Sequence, residues 1–126
     1  MPVKDGDTFT LLVDKAPFQV ECVVSPEAIR QGLSGREKLE GGMLFIFPDL
    51  TVHTMWMPEM KFPLDVVWLD EQLSVVHISY GLTPCKTRAD CPSYPSVYST
   101  KYAIEMVAGQ AAANGFRIGQ DLKVLL

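Results

Sequence analysis

The segment MLFIFPDLTVHTMWMPEMKFPLDVVWLD, residues 43–70, carries the clearest structural signal in this chain. It is rich in aromatic and methionine side chains, and its apolar residues fall into short runs. Three prolines separate these runs, at Pro48, Pro58 and Pro63. Short apolar runs bounded by proline are typical of buried strands and not of an amphipathic helix. We therefore expect a compact β core with Trp56 and Trp68 at its centre.

The rest of the chain continues this pattern of short strands. Ser25-Pro26-Glu27 predicts the start of a helix, because serine is a good N-cap and proline suits the first helical position. A second short helix is expected over residues 108–114. The predicted strands are residues 9–13, 19–24, 43–47, 52–57, 64–69, 74–79, 102–107 and 123–126. The expected fold is therefore mainly β (α+β), a small antiparallel barrel-like sheet of about eight short strands with two short helices.

Length and composition indicate one globular domain spanning residues 1–126. Charged residues make up 21% of the chain, hydrophobic residues 48%, and the net charge is −4. The lysines and arginines are scattered, so we expect no nucleic-acid partner, which would require clustered cations.

Hydropathy and the N-terminal residues bear on localisation. No window approaches the roughly twenty apolar residues of a membrane span, so none is expected. Acidic residues interrupt the N-terminal segment MPVKDGDTFTLLVDKAP, which therefore does not resemble a signal peptide. Two interpretations stay open, namely a cytosolic protein or a chain that begins after a removed targeting segment.

Five motifs in order resemble those of a known family. They are Gly32-Leu33-Ser34-Gly35-Arg36, Gly42-Met43-Leu44-Phe45-Ile46-Phe47, Trp56-Met57 with Phe62-Pro63-Leu64-Asp65-Val66-Val67, Ala103-Ile104-Glu105-Met106-Val107-Ala108-Gly109, and Ile118-Gly119 with Asp121. Together they resemble the bacterial and archaeal family called domain of unknown function 192, or uncharacterised protein family 0127. The resemblance runs from about Val20 onward and implies a small β-rich fold with no established activity. This chain has Pro58 and Glu59 where the family usually has Lys-Asn, and Gln120 is inserted in the Gly-Asp turn.

The three cysteines differ in setting. Cys22 lies in an apolar run and is expected to be a buried thiol. Cys85 and Cys91 flank a proline-rich loop and could form either a redox pair or a structural disulfide. We favour the disulfide, because redox pairs of the thioredoxin type have the spacing C-x-x-C. A disulfide would favour an exported or extracellular setting.

No metal or cofactor motif is evident, and we predict neither. His53, His77 and the two loop cysteines lack the paired spacing of zinc ligands. Phosphate loops, dinucleotide fingerprints and catalytic triads are also missing from the sequence.

Asp65 and Glu105 each interrupt an otherwise apolar strand, and Arg36 follows a glycine turn. A buried carboxylate needs a partner, so the simpler hypothesis pairs Arg36 with one of these acids. The alternative places all three in a small polar pocket that binds a ligand or performs acid–base chemistry.

Three functions remain open at this point. The residues favour a non-enzymatic module that binds an unidentified small ligand or protein partner. The alternatives are a small enzyme and an accessory component of a larger assembly. The expected binding residues are Arg36, Trp56, Met57, Glu59, Asp65 and Glu105.

Overall fold

The computed structural model describes residues 2–125, apart from the side chain of Arg88. Within that range there are nine strands: β1 (Thr8–Val13), β2 (Ala16–Val23), β3 (Gly42–Thr51), β4 (Thr54–Met55), β5 (Leu64–Leu69), β6 (Val75–Leu82), β7 (Tyr94–Pro95), β8 (Thr100–Val107) and β9 (Lys123–Leu125). The two α-helices are α1 (Pro26–Gln31) and α2 (Gln110–Ala113), and Arg88–Asp90 forms a 3-10 turn. The prediction of a mainly β fold is confirmed.

Seven of the strands form one sheet in the order β6-β5-β8-β3-β2-β1-β9. All neighbours in it are antiparallel except β2 and β3, which are parallel and are joined through α1. Strands β4 and β7 form a separate two-stranded ladder. The sheet is therefore mixed, with one parallel pair that the sequence did not predict.

The two edges of the large sheet approach each other without closing it. The N–H of Val75 donates to the carbonyl of Gln120 at 2.8 Å, and the N–H of Gly119 donates to the carbonyl of Val75 at 2.8 Å. A single bridge also joins Ser74 and Asp121. No continuous ladder forms across this gap within residues 2–125, so the sheet is barrel-like only in a loose sense.

Each face of the sheet carries its own hydrophobic cluster. Side chains alternate along a strand, so Ile104 and Met106 point to one face whereas Ala103 and Glu105 point to the other. We call the first the α2 face, because Ala111 of α2 packs into its cluster. We call the second the α1 face, because Ile29 packs there.

The two tryptophans differ in burial. Trp68 is fully buried and its indole N–H donates to the hydroxyl of Ser79 at 3.1 Å. Trp56 is 42% exposed, so the prediction that it lies at the core centre is wrong. The strand expected over residues 52–57 is limited to Thr54–Met55 (β4), which pairs only with β7. Trp56 follows this short strand and lies at the surface.

The ends of α1 follow the sequence closely. The hydroxyl of Ser25 accepts a hydrogen bond from the N–H of Ala28 at 3.1 Å, which confirms it as the N-cap. The helix ends at Gln31, and Gly32 follows with φ +50°. Strand β3 departs from expectation, since it continues through Pro48 to Thr51 across a register shift. Proline is tolerated there because a shifted segment does not need its N–H in the ladder.

No helix among the described residues is long and apolar enough to cross a membrane.

Candidate functional site

Glu105 occupies the middle of the α1 face. On β8 it lies opposite Met43 of β3 on one side and opposite Val66 of β5 on the other. Both neighbours are fully buried apolar residues, and Glu105 itself is only 4% exposed. The sequence therefore places an ionisable group in the interior of a hydrophobic layer.

A cavity of about 190 Å³ opens above this carboxyl group. Its walls come from residues 29–34 of α1 and the following turn, from Phe45 and Phe47 of β3, from residues 54–56 around β4, and from Pro58 and Met60. Aromatic and methionine side chains thus form much of the wall, and Glu105 supplies its buried acid.

The carboxyl group of Glu105 has no partner in the part of the chain that the structure describes. No residue within the described range 2–125 forms a hydrogen bond or an ion pair with it. Burial alone raises the pKa of Glu105 to about 8, because the charged form loses its hydration. At neutral pH the group is therefore mostly a protonated, neutral acid.

Gly32 brings backbone close to this acid. A Cβ atom at position 32 would lie 3.7 Å from Oε1 of Glu105 and 3.3 Å from Cζ of Phe45. Gly32 also adopts a positive φ, a backbone conformation that residues other than glycine rarely take. Since it caps the carboxyl end of α1, the acid faces a helix terminus that carries partial negative charge.

Hydrogen bonds from two neighbouring segments hold residues 57–59, next to the cavity, in place. The hydroxyl of Ser34 donates to the carbonyl of Pro58 at 3.1 Å, and the N–H of Gly35 donates to the carbonyl of Glu59 at 3.0 Å. On the next segment, the N–H of Cys85 donates to the carbonyl of Met57 at 3.2 Å.

Cys85 and Cys91 form the expected disulfide, with Cα atoms 5.3 Å apart. Cys85 packs against the hydrophobic cluster of the α1 face. The disulfide therefore holds the loop that supports residues 57 and 58. Cys22 is buried, as expected, and burial raises the pKa of its thiol to about 11.

Arg36 does not reach Asp65 or Glu105, so the predicted pairing is wrong. Its guanidinium forms two hydrogen bonds with the carboxylate of Glu21 on β2, at 3.1 and 2.7 Å. These bonds hold the pKa of Glu21 below its usual value. The two side chains are 40% and 33% exposed, so the pair is in contact with solvent.

Asp65 is also separate from the cavity, because it lies on the α2 face. Its carboxylate accepts hydrogen bonds from the N–H groups of Gly81, Gly109 and Ala111, at 2.9, 2.9 and 3.1 Å. This buried acid is fully bonded by backbone and needs no cation. Arg36, Asp65 and Glu105 therefore do not share a pocket, and the enzyme hypothesis loses its proposed arrangement.

The remaining expected binding residues have different positions. Trp56 lines the cavity, whereas Met57 is fully buried and lies outside its lining. Glu59 is exposed and has φ +61°, a backbone conformation in which asparagine is more favourable than glutamate. Glu59 also lies outside the cavity lining, so it does not contribute its charge to the cavity.

Sequence reasoning missed the cavity walls at Gly32, Phe45 and Phe47, whereas Met55 and Met60 belong to a methionine-rich segment that could have been either core or an adaptable binding face. Nothing in the local pattern distinguishes these residues from ordinary core, since strand pairing over long distances brings them around Glu105. His53 stacks on Phe47 with ring centroids 3.8 Å apart, so it supports the wall from behind. No group of three or more potential metal ligands occurs in the part of the chain that the structure describes.

A second, larger groove lies elsewhere. It encloses about 750 Å³ and is lined mainly by apolar residues including Phe9, Ile46 and Tyr102. Its acid, Asp7, already accepts a hydrogen bond from the N–H of Lys4 at 2.8 Å. The Glu105 cavity is therefore the better candidate, because its buried acid has no partner among the residues that the structure describes.

Comparison with solved structures shows the fold. A protein of Sinorhizobium meliloti 1021, described as a candidate transcription regulator, matches with a TM-score of 0.83 at 24% identity, over 98% of both chains. A protein of unknown function from Novosphingobium aromaticivorans DSM 12444 matches with a TM-score of 0.79 at 22% identity, over 92% of this chain and 83% of that one.

A search of curated proteins gave no significant match. The model of the family DUF192, described as "Uncharacterized ACR", matches residues 9–124, which is nearly the whole chain. The resemblance of the five motifs is thereby confirmed, and the chain belongs to the DUF192 family.

Proposed function

We propose that this protein is a single-domain binding module that takes a small organic ligand into the Glu105 cavity. One observation carries the proposal: the carboxyl group of Glu105 is almost fully buried, has no partner among the described residues and borders the cavity. A carboxyl group that borders an apolar cavity and has no protein partner among the described residues is available to a ligand, and a mostly apolar cavity with one such polar group is typical of small-molecule sites.

Binding is favoured over catalysis by what surrounds the acid. General acid–base or nucleophilic chemistry would require a second reactive group within hydrogen-bond reach. Two hydroxyl residues, Ser34 and Thr54, line the cavity; that of Ser34 donates to the carbonyl of Pro58, and neither hydroxyl is hydrogen-bonded to a basic side chain within the described residues.

The disulfide and the charge bear on setting and partners. The Cys85–Cys91 bond supports an exported or extracellular location, where disulfides persist. A net charge of −4 with scattered cations does not support nucleic acid as the partner. A small molecule is therefore the proposed ligand.

The proposal can be tested by ligand-observed NMR with a library of small organic fragments. Met60→Trp should abolish fragment binding, because the larger ring enters the cavity. Ile118→Trp is the matched control, since residue 118 is 63% exposed and lies outside the cavity lining. Binding lost only in the Met60 variant supports the proposal, whereas no binding, or binding that Met60→Trp leaves intact, contradicts it.

A further inference from the structure

We infer that the ligand's head group is a primary ammonium or guanidinium cation that donates hydrogen bonds to the carboxyl group of Glu105. This inference rests on the proposed function and adds the chemical class of the ligand. It follows from the absence of a partner for Glu105 among the described residues, from the groups around it, and from the volume and lining of the cavity.

The two buried acids, Asp65 and Glu105, differ in their hydrogen bonding. Asp65 is 1% exposed and receives three backbone N–H donors, whereas Glu105 is 4% exposed and receives none from the described chain. A buried carboxylate is stable only with donors or a cation beside it. A ligand carrying N–H donors and a positive charge would supply both to Glu105.

The surroundings of Glu105 also favour a cation over an anion. Gly32 places the carboxyl end of α1 beside the acid, and such an end attracts positive charge. Phe45 and Phe47 contribute aromatic rings to the wall, and cations are attracted to ring faces. An anionic head group would instead meet the carboxyl end of α1 and, once Glu105 is ionised, a second negative charge.

Few charged groups face this site. From α1, the exposed Arg30 lines the cavity but forms no ion pair with Glu105. From β2, Glu21 is already paired with Arg36, and His53 lies behind Phe47. Strands β3, β4 and β5 contribute no charged residue to the described lining. Arg30 and Glu105 are thus the charged residues of the described lining, and because Arg30 is exposed to solvent the charge of the ligand would act mainly on the buried Glu105.

The remaining wall specifies the rest of the ligand. Met55, Met60 and the aromatic rings surround a volume of about 190 Å³. This suits a short apolar tail, since flexible methionines adapt to varied shapes. The expected ligand is a small amine or guanidine with an alkyl or aromatic tail of a few carbons.

Binding of such a cation should release a proton. Free Glu105 is mostly protonated at neutral pH, because burial raises its pKa to about 8. The ammonium group would pair with the carboxylate, and the displaced proton would pass to solvent. Since only the ionised form pairs with the cation, affinity should rise with pH up to about pH 8 and then level off.

The test is a ¹H–¹⁵N NMR titration with n-butylammonium, with 1-butanol as the neutral probe of similar shape. Shifts of the amides of Gly32 and Glu105 would report binding. We expect n-butylammonium to bind about 90-fold more tightly at pH 9 than at pH 6, because the ionised fraction of Glu105 rises by that factor. The affinity for 1-butanol should change little.

Two variants make the result specific. Glu105→Gln should remove the pH dependence and the preference for the cation while leaving 1-butanol binding in place. Glu21→Gln is the matched control, since it removes an acid on the same face outside the cavity and should leave both affinities unchanged.

The outcomes separate this inference from the proposed function. If the two probes bound equally and without dependence on pH, the inference of a cationic head group would be wrong, whereas the proposed binding function would stand. Fragment binding in the cavity without any response to n-butylammonium would do the same. Failure of both probes and of the fragment library would overturn both conclusions.

Discussion

Glu21 and Glu105 lie on either side of Met43 in one cross-strand row on the α1 face of the sheet. Glu21 is one-third exposed and accepts two hydrogen bonds from Arg36. Glu105 is buried and has no partner among the described residues. The fold therefore tolerates an uncompensated acid at its cavity. Such a cost to stability is typical of a functional position.

Glu105→Gln should stabilise the protein above neutral pH and remove part of its pH dependence. The folded-state pKa of Glu105 is raised from 4.5 to about 8, so its stabilising contribution is complete below pH 4.5 and is lost as pH rises to 8. The wild-type protein should lose up to about 5 kcal/mol of unfolding free energy over that window through this group. Urea denaturation at pH 5 and pH 8 measures the loss. Parallel behaviour of the two proteins would contradict the assignment.

Asp65→Asn should destabilise the fold by roughly 2–4 kcal/mol, because an amide cannot accept all three backbone N–H groups and some stay buried without a partner. The midpoint of chemical denaturation reports the change. Asp14→Asn is the control: its exposed pair with Arg117 should contribute less than about 1 kcal/mol. Equal effects of the two substitutions would show that Asp65 is not an internal anchor.

Arg36→Ala should have only a modest effect, because its partner is at the surface. Exposed ion pairs contribute about 0–1 kcal/mol, and both side chains here are at least one-third exposed. The variant should leave the cavity and fragment binding unchanged. A loss of about 3 kcal/mol or more in denaturation experiments would instead indicate a buried role for Arg36.

The cysteines should differ in reactivity. Alkylation without reductant should modify only Cys22, and only after denaturation, because burial and a pKa of about 11 keep its thiol unreactive in the folded protein. Replacing Cys85 and Cys91 together by serine should cost about 2 kcal/mol, as expected for a short closed loop. Mass spectrometry counts the labels. Three labels on denatured, unreduced protein would disprove the disulfide.

Much of the fold could be predicted from local sequence. Strand β5 has the bounds expected for it, since six apolar-rich residues lie between Pro63 and a turn. The start of α1 followed from Ser25 and Pro26. These features depend on neighbouring residues, which the sequence displays directly.

The partners of the charged residues could not be predicted in the same way. Arg36 pairs with Glu21 because the parallel register of β2 and β3 places that acid on the α1 face. Asp65 and Glu105 both interrupt apolar strands, yet their strand register puts them on opposite faces. Such pairings depend on long-range topology, so the sequence could identify Glu105 as unusual but not describe its cavity.

The most direct test of this account is the NMR titration of the Glu105 side-chain carboxyl carbon. In the free protein we predict a pKa of about 8, and saturation with n-butylammonium should lower it towards the usual value for glutamate. A carboxyl group that titrates near pH 4.5 in the free protein, with no response to the amine, would contradict the claim that Glu105 is a buried acid that binds a cationic ligand.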